Sequence, residues 1–402
     1  MEETKGEVAV PQKQGIGAEL GNLLRSNIRD YMMYIALIVI MAFFTIMTNG
    51  GFIQARNISN LINQAGYVAI LAMGMTLVLI VVHIDLSVGY VAGFCGAVCA
   101  ILMTKFGMSE WLAIPIVLLL GALIGLYQGT LVMRVGVPAF VTTLAGMFMF
   151  RGLLNLTLQE TGTIVIPNEG FNAISNGFIP DFSLGLNLHM LTMIIGVALV
   201  GLMIASQIRD RQNNLKYGFQ VMSQPLFIAK LVIFAAVILL VFYVLAAYQG
   251  LPWTAVIVGV VLFIFNFILN ETKFGRYIYG IGGNAQATEL SGVDVKKVTQ
   301  IIFVIMSTMA ALAGVLYTSR LQSATPTAGL GFELDAIASS YIGGVAVTGG
   351  VGRVTNTIIG ALVITSLTNG MNLMGIDISY QYIVKGIIFI GAVALDIRTR
   401  NK

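Results

Sequence analysis

The residue with the clearest capacity for chemistry is Asp85, in the segment His-Ile-Asp-Leu-Ser-Val-Gly at positions 83–89, between two long apolar runs. A carboxylate in the middle of a bilayer costs at least about 2.5–3.5 kcal/mol, so it requires a charged partner, water or a helix amino terminus. The sequence favours the helix terminus, because Asp85 can cap a helix that begins at Leu86 and accept hydrogen bonds from its free N–H groups. A proton relay with His83 and a direct contact with substrate are the functional alternatives.

Other candidate motifs lack the residues that their chemistry requires. Cys95 and Cys99 stand one helical turn apart in an apolar run, and no second pair accompanies them to form a metal site. His83 and His189 are the only histidines, and neither has the neighbours of a metal or nucleophile site. The segment 280–285 imitates a dinucleotide fingerprint without a preceding strand, and no P-loop motif for ATP occurs in the chain. We therefore expect neither an enzyme nor a protein that holds a metal or a cofactor.

The composition of the 402-residue chain indicates a membrane protein. Apolar residues make up 57% of it, charged residues 10%, and the mean hydropathy is +0.89. A soluble domain contains about 25% charged residues, and a chain this apolar cannot cover its own surface in water. The formal net charge of +4 does not indicate nucleic acid as a partner, because the basic residues fall in short loops.

Apolar segments that can form membrane spans follow one another from residue 31 onwards. They are Tyr31–Met47, Leu61–Val82, Leu86–Met103, Trp111–Met133, Val135–Phe150, Leu188–Ala205, Phe227–Tyr248, Leu251–Leu269, Val298–Tyr317, Ala336–Val347, Val354–Leu367 and Tyr382–Leu395. Several are short, and glycines interrupt the one that begins at Ala336, which is typical of re-entrant or discontinuous helices. The sequence thus predicts one transmembrane domain over residues 31–397, an all-α bundle of about ten or eleven transmembrane helices with broken segments.

The distribution of lysine and arginine predicts the orientation, because cytoplasmic loops are enriched in both. With the amino terminus inside, alternate crossings place most basic loop residues in the cytoplasm: Arg134, Arg209, Arg211, Lys216, Lys273, Arg276, Lys296, Lys297, Arg353, Arg398, Arg400 and Lys402. The longest loop on the opposite side, 155–187, contains three acidic residues and no lysine or arginine. We expect a cytoplasmic arm over residues 1–30, a cytoplasmic tail over 398–402, and both termini inside the cell.

Two further charged residues lie at the ends of predicted spans. Lys385 stands near the outer start of the last span, and Arg151 closes the fifth. Neither has an obvious buried partner in the sequence, so both are expected to extend their charged groups to the membrane interface. A proton-coupled pump therefore finds little support.

The longest charged loop between spans is the cytoplasmic segment 271–297. Within it, Asn284 can cap a short helix, Ala285–Ser291, that Gly292 ends. A surface helix beneath the membrane, without a core of its own, favours a docking site for another protein. A solvated connection between two spans is the alternative.

Four separated groups of residues resemble the motifs of the bacterial ATP-binding-cassette (ABC) sugar permeases, a family that serves ribose, xylose, arabinose, galactose and related monosaccharides. The groups are Gly74-Met75-Thr76 with Ile84–Gly89, Pro138–Leu144 with Arg151-Gly152, Gly280–Asn284 with Ala287 and Leu290–Gly292, and Ile342–Gly344 with Thr348–Gly352 and Gly360-Ala361. The resemblance extends from Asn57 to the carboxyl terminus. His83, the added segment 215–248 and the segments 332–338 and 370–375 are similar to the multiple-monosaccharide or xylose-type permeases.

This resemblance implies a transport subunit in the bacterial plasma (inner) membrane, with a type II importer fold similar to that of the vitamin B12 permease. It implies a homodimer or paired permease, cytoplasmic ABC ATPase subunits and an extracytoplasmic sugar-binding protein. The ATPase is expected to dock on Gly283, Asn284, Ala287, Glu289, Leu290, Ser291 and Gly292. Candidates for the translocation path, or for helix breaks beside it, are Asn63, Gln64, Asp85, Ser87, Phe140, Thr143, Gly343, Gly344 and Asn369.

Two other functions stay open on the sequence. A permease of similar architecture can carry another small solute, such as a nucleoside or a branched-chain amino acid, and the binding protein encoded nearby would separate these cases. An ion-coupled secondary carrier needs no ATPase, and it predicts that Asp85→Asn abolishes coupling.

Overall fold

The computed structural model describes residues 28–182, 188–219 and 221–400, and it is almost entirely α-helical over these ranges. Most of the predicted arm 1–30 and the last two residues of the predicted tail lie outside the described residues. The helices are α1 (Ile28–Met47), α2 (Ala55–Ile80), α3 (Val88–Thr104), α4 (Glu110–Thr130), α5 (Ala139–Thr157), α6 (Glu169–Asn176), α7 (Met190–Lys216), α8 (Gln224–Ala246), α9 (Trp253–Glu271), α10 (Lys273–Leu290), α11 (Val295–Leu321), α12 (Phe332–Ile342), α13 (Val354–Leu373) and α14 (Ile378–Arg400). Two short strands, β1 (Ile164–Val165) and β2 (Ser323–Ala324), pair antiparallel.

The helix lengths confirm a polytopic membrane protein. Within the described ranges, eight helices are long and apolar enough to cross a bilayer: α2, α4, α5, α7, α8, α9, α11 and α13, with α4 continued by a π-helix, Leu131–Val135. Three shorter apolar stretches, Tyr31–Met47, Val88–Thr104 and Ile378–Gly391, lie in α1, α3 and α14. Together they agree with the predicted ten or eleven crossings.

Local sequence explains where several of these helices begin and end. The π-helix after α4 ends at Gly136, whose φ of 87° is easily adopted only without a Cβ, and Pro138 precedes the first residue of α5. The predicted span at Val135 therefore starts four residues later, at Ala139. Asp294 caps α11 by accepting the N–H of Lys297 at 2.9 Å.

The core of the bundle forms around α2 and α11. Nearly every residue of α2 from Val68 to Ile80 is buried, and α11 packs on α2, α3 and α4. Gly121 and Gly125 of α4 face α11 so closely that a Cβ on Gly121 would lie 2.7 Å from the carbonyl oxygen of Ser307. Small residues at such contacts let helix backbones approach in a lipid environment, where van der Waals packing replaces the hydrophobic drive.

The hairpin of α7 and α8 lies at the periphery, in contrast to that core. Its two helices pack mainly against each other, and few of their large apolar side chains are buried while about half are exposed, as expected for surfaces in contact with lipid. Between the second half of α7 and the first half of α8, Lys230 donates to Oε1 of Gln207 at 3.0 Å. α7 continues to Lys216, eleven residues beyond the predicted span end at Ala205, and carries polar residues past the apolar stretch.

Candidate functional site

The first helix break of the bundle, residues 81–87, separates α2 from α3. α3 begins at Val88 with Ser87 as its N-cap residue, so the prediction that Asp85 caps a helix starting at Leu86 is wrong. Instead, Oδ1 of Asp85 accepts the N–H of Ser87 at 2.9 Å and its hydroxyl at 2.7 Å. An aspartate side chain readily bonds the backbone two residues ahead, and that local turn forms before the helix starts.

Side chains from two other helices close this break. Nε2 of Gln128, on α4, donates to Oγ of Ser87 at 2.8 Å, and Oγ1 of Thr143, on α5, donates to the carbonyl of Ile84 at 3.2 Å. Asp85, Ser87, Gln128 and Thr143 are all fully buried. We call these four residues the Asp85 cluster. It brings three of the predicted path residues together, but seals them away from solvent in this conformation.

Gln128 was missed by the sequence analysis, although a signal for it existed. It is an amide within a long apolar run, between Gly125 and Gly129, and a polar group in a span requires a partner. Gly146 of α5 completes the contact, because a Cβ there would lie 2.7 Å from Nε2 of Gln128. Oε1 of Gln128 and Oδ2 of Asp85 are buried without a hydrogen-bond partner among the described residues.

Two further predicted path residues, Asn63 and Gln64, lie on α2 and far from Asp85. Asn369 of α13 donates to Oε1 of Gln64 at 3.4 Å, and accepts the amide of Asn57 at 2.9 Å. This ladder joins the beginning of α2 to the end of α13, and Gln64 lies about 25 Å along α2 from its last residue, Ile80. Asn63 is buried beside it. Phe140 is exposed at the start of α5, so the nine candidates do not form one site.

The second helix break, residues 343–353, follows the half-length helix α12. With eleven residues, α12 spans about 16 Å, roughly half of a bilayer core, which confirms the predicted interrupted segment. Gly344, Gly349 and Gly350 have φ values of 86°, 81° and 70°, which non-glycine residues rarely adopt. A cleft of about 350 Å³ is lined by Gly344 and Gly350, and also by Gly343, Tyr279 and Asn270.

An ion pair holds the opposite end of α12. Nζ of Lys385, on α14, lies 2.9 Å from each carboxylate oxygen of Asp335, and both side chains are largely buried. Arg151 lies over the ring of Tyr90, 5.7 Å from its centroid. For Lys385 the prediction of a cation that extends to the interface without a buried partner is wrong, because Asp335 comes from another helix. Arg151 is exposed, so its placement at the membrane interface stays a prediction.

The predicted docking helix is present and capped as expected. α10 has a kink at Asn284, where φ is −160° and ψ is 98°, and Oδ1 of Asn284 accepts the N–H of Ala287 at 2.9 Å. The helix ends at Leu290, one residue earlier than predicted, and Gly292 follows with a φ of 88°. Leu290, at the end of this helix, is 84% exposed.

Most of the segment that the sequence analysis treated as a cytoplasmic loop is helical. Residues Lys273–Gly283 form the first part of α10 and lie against the ends of α2 and α9. Gly283, Ala287, Glu289 and Ser291, which belong to the predicted docking set, are exposed around Asn284 and Leu290. The docking helix is therefore attached to the bundle through a short, rigid element.

A protein-family profile described as "Branched-chain amino acid transport system / permease component" matches residues 57–393. The xylose transport system permease protein XylH of Haemophilus influenzae is 38% identical over 379 residues, which are 94% of this chain and 98% of that protein. XylH of Escherichia coli K12 is 37% identical, over 98% of this chain and 97% of its own length. The ribose import permease protein RbsC of Escherichia coli K12 is 33% identical, over 90% and 92%. No solved structure matches the chain.

Proposed function

The chain belongs to the permease-component family of branched-chain amino acid transport systems, and on that premise we propose that it is the membrane subunit of an ABC importer for xylose or related monosaccharides. The relatives named above are xylose and ribose permeases, and the chain covers nearly the whole length of each. The segment 215–248, which resembles the xylose type, forms the end of α7 and the peripheral helix α8. Xylose is therefore favoured over ribose.

The observation that carries this proposal is the exposed helix from Asn284 to Leu290. Leu290 stands out from a capped helix that is held against the bundle, and the chain contains no P-loop motif for ATP. An apolar side chain presented by a rigid element suits insertion into a groove on another protein. We propose that cytoplasmic ABC ATPase subunits dock there, around Glu289 and Leu290.

The orientation that we propose places both termini in the cytoplasm. The long spans, the three shorter apolar helices and one broken crossing that contains the half-length α12 give an even number of crossings, as two cytoplasmic termini require. The basic ends of α7 and α10 then lie inside, in agreement with the excess of lysine and arginine in cytoplasmic loops. The domain limits follow: an arm over 1–30, a transmembrane domain over 31–397 and a tail over 398–402.

We propose alternating access in a homodimer, with substrate delivered by an extracytoplasmic sugar-binding protein. The Asp85 cluster is closed in this conformation and contains carboxylate, hydroxyl and amide groups, which suit a polyol once the break opens. The permease itself holds the sugar weakly, because the closed cluster leaves it no preformed site. Selection then lies with the binding protein.

The alternative of an ion-coupled carrier has less support. Asp335 is neutralised by Lys385, and Oδ1 of Asp85 is bonded to Ser87, so neither carboxylate stands fully exposed to a path. The alternative of a branched-chain amino acid or a nucleoside as solute has support only from the description of the family, which names branched-chain amino acids. The relatives reported above are named as xylose and ribose permeases. A competition experiment in proteoliposomes with the binding protein and ATPase separates these: xylose uptake that leucine and uridine do not inhibit supports the sugar proposal. Uptake of leucine or uridine instead would overturn it.

The docking proposal is tested by co-purification with the ATPase encoded beside this chain. We expect wild type to retain the ATPase, and the double variant Glu289→Lys, Leu290→Pro to lose it. Leu215→Pro, a proline at the exposed cytoplasmic end of α7, is the matched control and should retain it. If wild type purifies alone and moves sugar down an ion gradient, the ABC proposal fails.

A further inference from the structure

The two helix breaks of the bundle are joined to each other by a backbone hydrogen bond. The N–H of Gly350, in the second break, donates to the carbonyl oxygen of Ile80 at 2.9 Å. Ile80 is the last residue of α2, directly before the first break. A displacement of either break is therefore transmitted to the other at this point.

Helix α10 (Lys273–Leu290), which carries the predicted docking helix and is called the docking element below, packs against both partners of this hydrogen bond. A Cβ on Gly282 would overlap the carbonyl oxygen of Ile80, and would lie 2.5 Å from the amide nitrogen of Gly350. Gly282 stands two residues before the kink at Asn284. We call Ile80, Gly282 and Gly350 the glycine junction. Its members meet backbone against backbone, so no flexible side chain can absorb a movement between them.

A second contact fastens α10 to the second break. The hydroxyl of Tyr279, one turn before Gly282, donates to the carbonyl of Gly352 at 2.8 Å. Gly352 is two residues beyond Gly350. The docking element thus holds the second break at two places, and reaches the first break through Ile80.

The first break carries a strained residue next to the junction. Val82 has a φ of 62°, which is a genuine outlier for a β-branched side chain. It is held there by the hydrogen bonds of its own N–H to Leu79 and of the His83 N–H to Val78, both 3.0 Å. Gly349 packs on it, since a Cβ there would overlap Cγ2 of Val82. Such conformations persist where the surroundings over-determine them, and they mark switch regions.

We propose that the glycine junction transmits movement of the docking helix to both helix breaks at once, with Gly282 and Gly350 as positioning residues. The proposal rests on the proposed importer function. Closely packed backbones have discrete arrangements rather than continuous ones, so a small shift of Gly282 moves Ile80 and Gly350 together. Release of Val82 from its strained conformation then opens the turn that holds Asp85.

The decisive comparison is Gly282→Ala against Gly259→Ala, a glycine of α9 that lies outside both the junction and the predicted docking set. A Cβ at Gly282 meets two backbones, whereas a Cβ at Gly259 meets nothing within 4 Å. In proteoliposomes with the ATPase and binding protein, we expect Gly282→Ala to keep the ATPase bound and to lower sugar uptake per ATP hydrolysed at least tenfold. Gly259→Ala should stay within twofold of wild type. An unchanged ratio in Gly282→Ala, or an equal fall in both variants, would overturn the proposal.

A second variant covers the case in which Gly282→Ala folds poorly. Tyr279→Phe removes the hydroxyl bonded to Gly352 without adding volume, and Tyr277→Phe, on the same helix with an exposed ring, is its control. We expect Tyr279→Phe alone to lower the uptake per ATP two- to fivefold. Loss of total activity at an unchanged ratio would indicate a merely structural role and contradict the proposal.

Hydrogen exchange on the purified full-length chain tests the junction without any partner. We expect Gly282→Ala or Tyr279→Phe to raise deuterium uptake in residues 81–87 and 344–352 together. Exchange that rises in only one break, or in neither, refutes the junction even if the ATPase binds. If the variants raise exchange in both breaks together but the wild-type chain binds no ATPase, the importer proposal is refuted and the junction between the breaks still stands.

Discussion

The two helix breaks of this protein are held by different means. The first, 81–87, is filled by side chains, with Asp85, Ser87 and Gln128 bonded to one another in a fully buried cluster. The second, 343–353, is shaped by glycines whose backbones bend where side chains do not fit. A break filled by hydrogen-bonded side chains is closed to solvent by its own residues and its neighbouring helices, whereas a break made of glycines leaves room for the backbone of another segment to approach. Only the second therefore receives the docking element directly.

The helices that flank the two breaks also differ. α2, before the first break, lies in the core of the bundle, while α12, before the second, is half a span long and ends against α14 through the Asp335–Lys385 pair. Both helices are packed in the bundle, and α12 in addition carries a charge pair in its first turn, at the end away from the break. Removal of that pair should loosen α12 and, through it, the second break.

The largest effect is expected from breaking the Asp335–Lys385 pair. Lys385→Met leaves a largely buried carboxylate uncompensated, and loss of one partner of a buried pair typically costs about 3–5 kcal/mol of unfolding free energy. The measurement is unfolding in mixed detergent micelles. The double variant Asp335→Leu, Lys385→Met removes both charges and should recover most of the loss. If the double variant is as unstable as the single one, the pair is not what holds α12.

A smaller loss is expected from Asp85→Ala, which removes the acceptor for both the N–H and the hydroxyl of Ser87. Hydrogen bonds to charged groups contribute about 1.5–3 kcal/mol, so unfolding should shift by that order. Asp85→Asn keeps an oxygen at the same place and should retain most of the stability and the sugar uptake. Uptake that is abolished in a stable Asp85→Asn protein would instead favour ion coupling.

The second break is tested by Gly343→Ala, whose Cβ would lie 2.7 Å from Cα of Thr357 and 2.8 Å from its nitrogen. Forcing α12 and α13 apart should cost about 1–3 kcal/mol, as overpacking does elsewhere. Gly386→Ala, where a Cβ meets nothing within 4 Å, is the control and should be neutral or slightly stabilising. Equal effects of the two substitutions on thermal unfolding would mean that the break tolerates side chains.

The smallest effect is expected from Gln128→Leu, which removes one neutral donor to Ser87 and also an amide oxygen that has no partner among the described residues. A neutral hydrogen bond contributes about 1 kcal/mol, and relief of the unpaired oxygen offsets part of it. Gln128→Glu introduces a second carboxylate near Asp85 and should be worse than Leu. If Gln128→Leu unfolds at a lower temperature than Gln128→Glu, the amide oxygen of Gln128 accepts a hydrogen bond in the native protein and this prediction is contradicted.

Features that depend on neighbouring residues were predicted from the sequence. The membrane class follows from composition, the half-length α12 from its glycines, and the capped helix at Asn284 from a cap and stop eight residues apart. Each of these is a local pattern, in which the residue types and their spacing by themselves set the backbone geometry. The membrane, which requires internally satisfied backbones, makes such patterns more decisive than they are in water.

Features that depend on distant residues were decided only by the tertiary structure. The sequence shows Asp85 and Lys385 as charges in apolar surroundings, but the partners Gln128 and Asp335 lie on other helices, and even the bond of Asp85 to Ser87 depends on where α3 begins. The glycine junction joins Ile80, Gly282 and Gly350, which are separated by about 200 and 70 residues and by several crossings. Composition and the spacing of residues along the chain determined the membrane class and the local helix boundaries. Which buried groups meet was decided by helix packing, because contacts between backbones from separate helices leave no local pattern in the sequence.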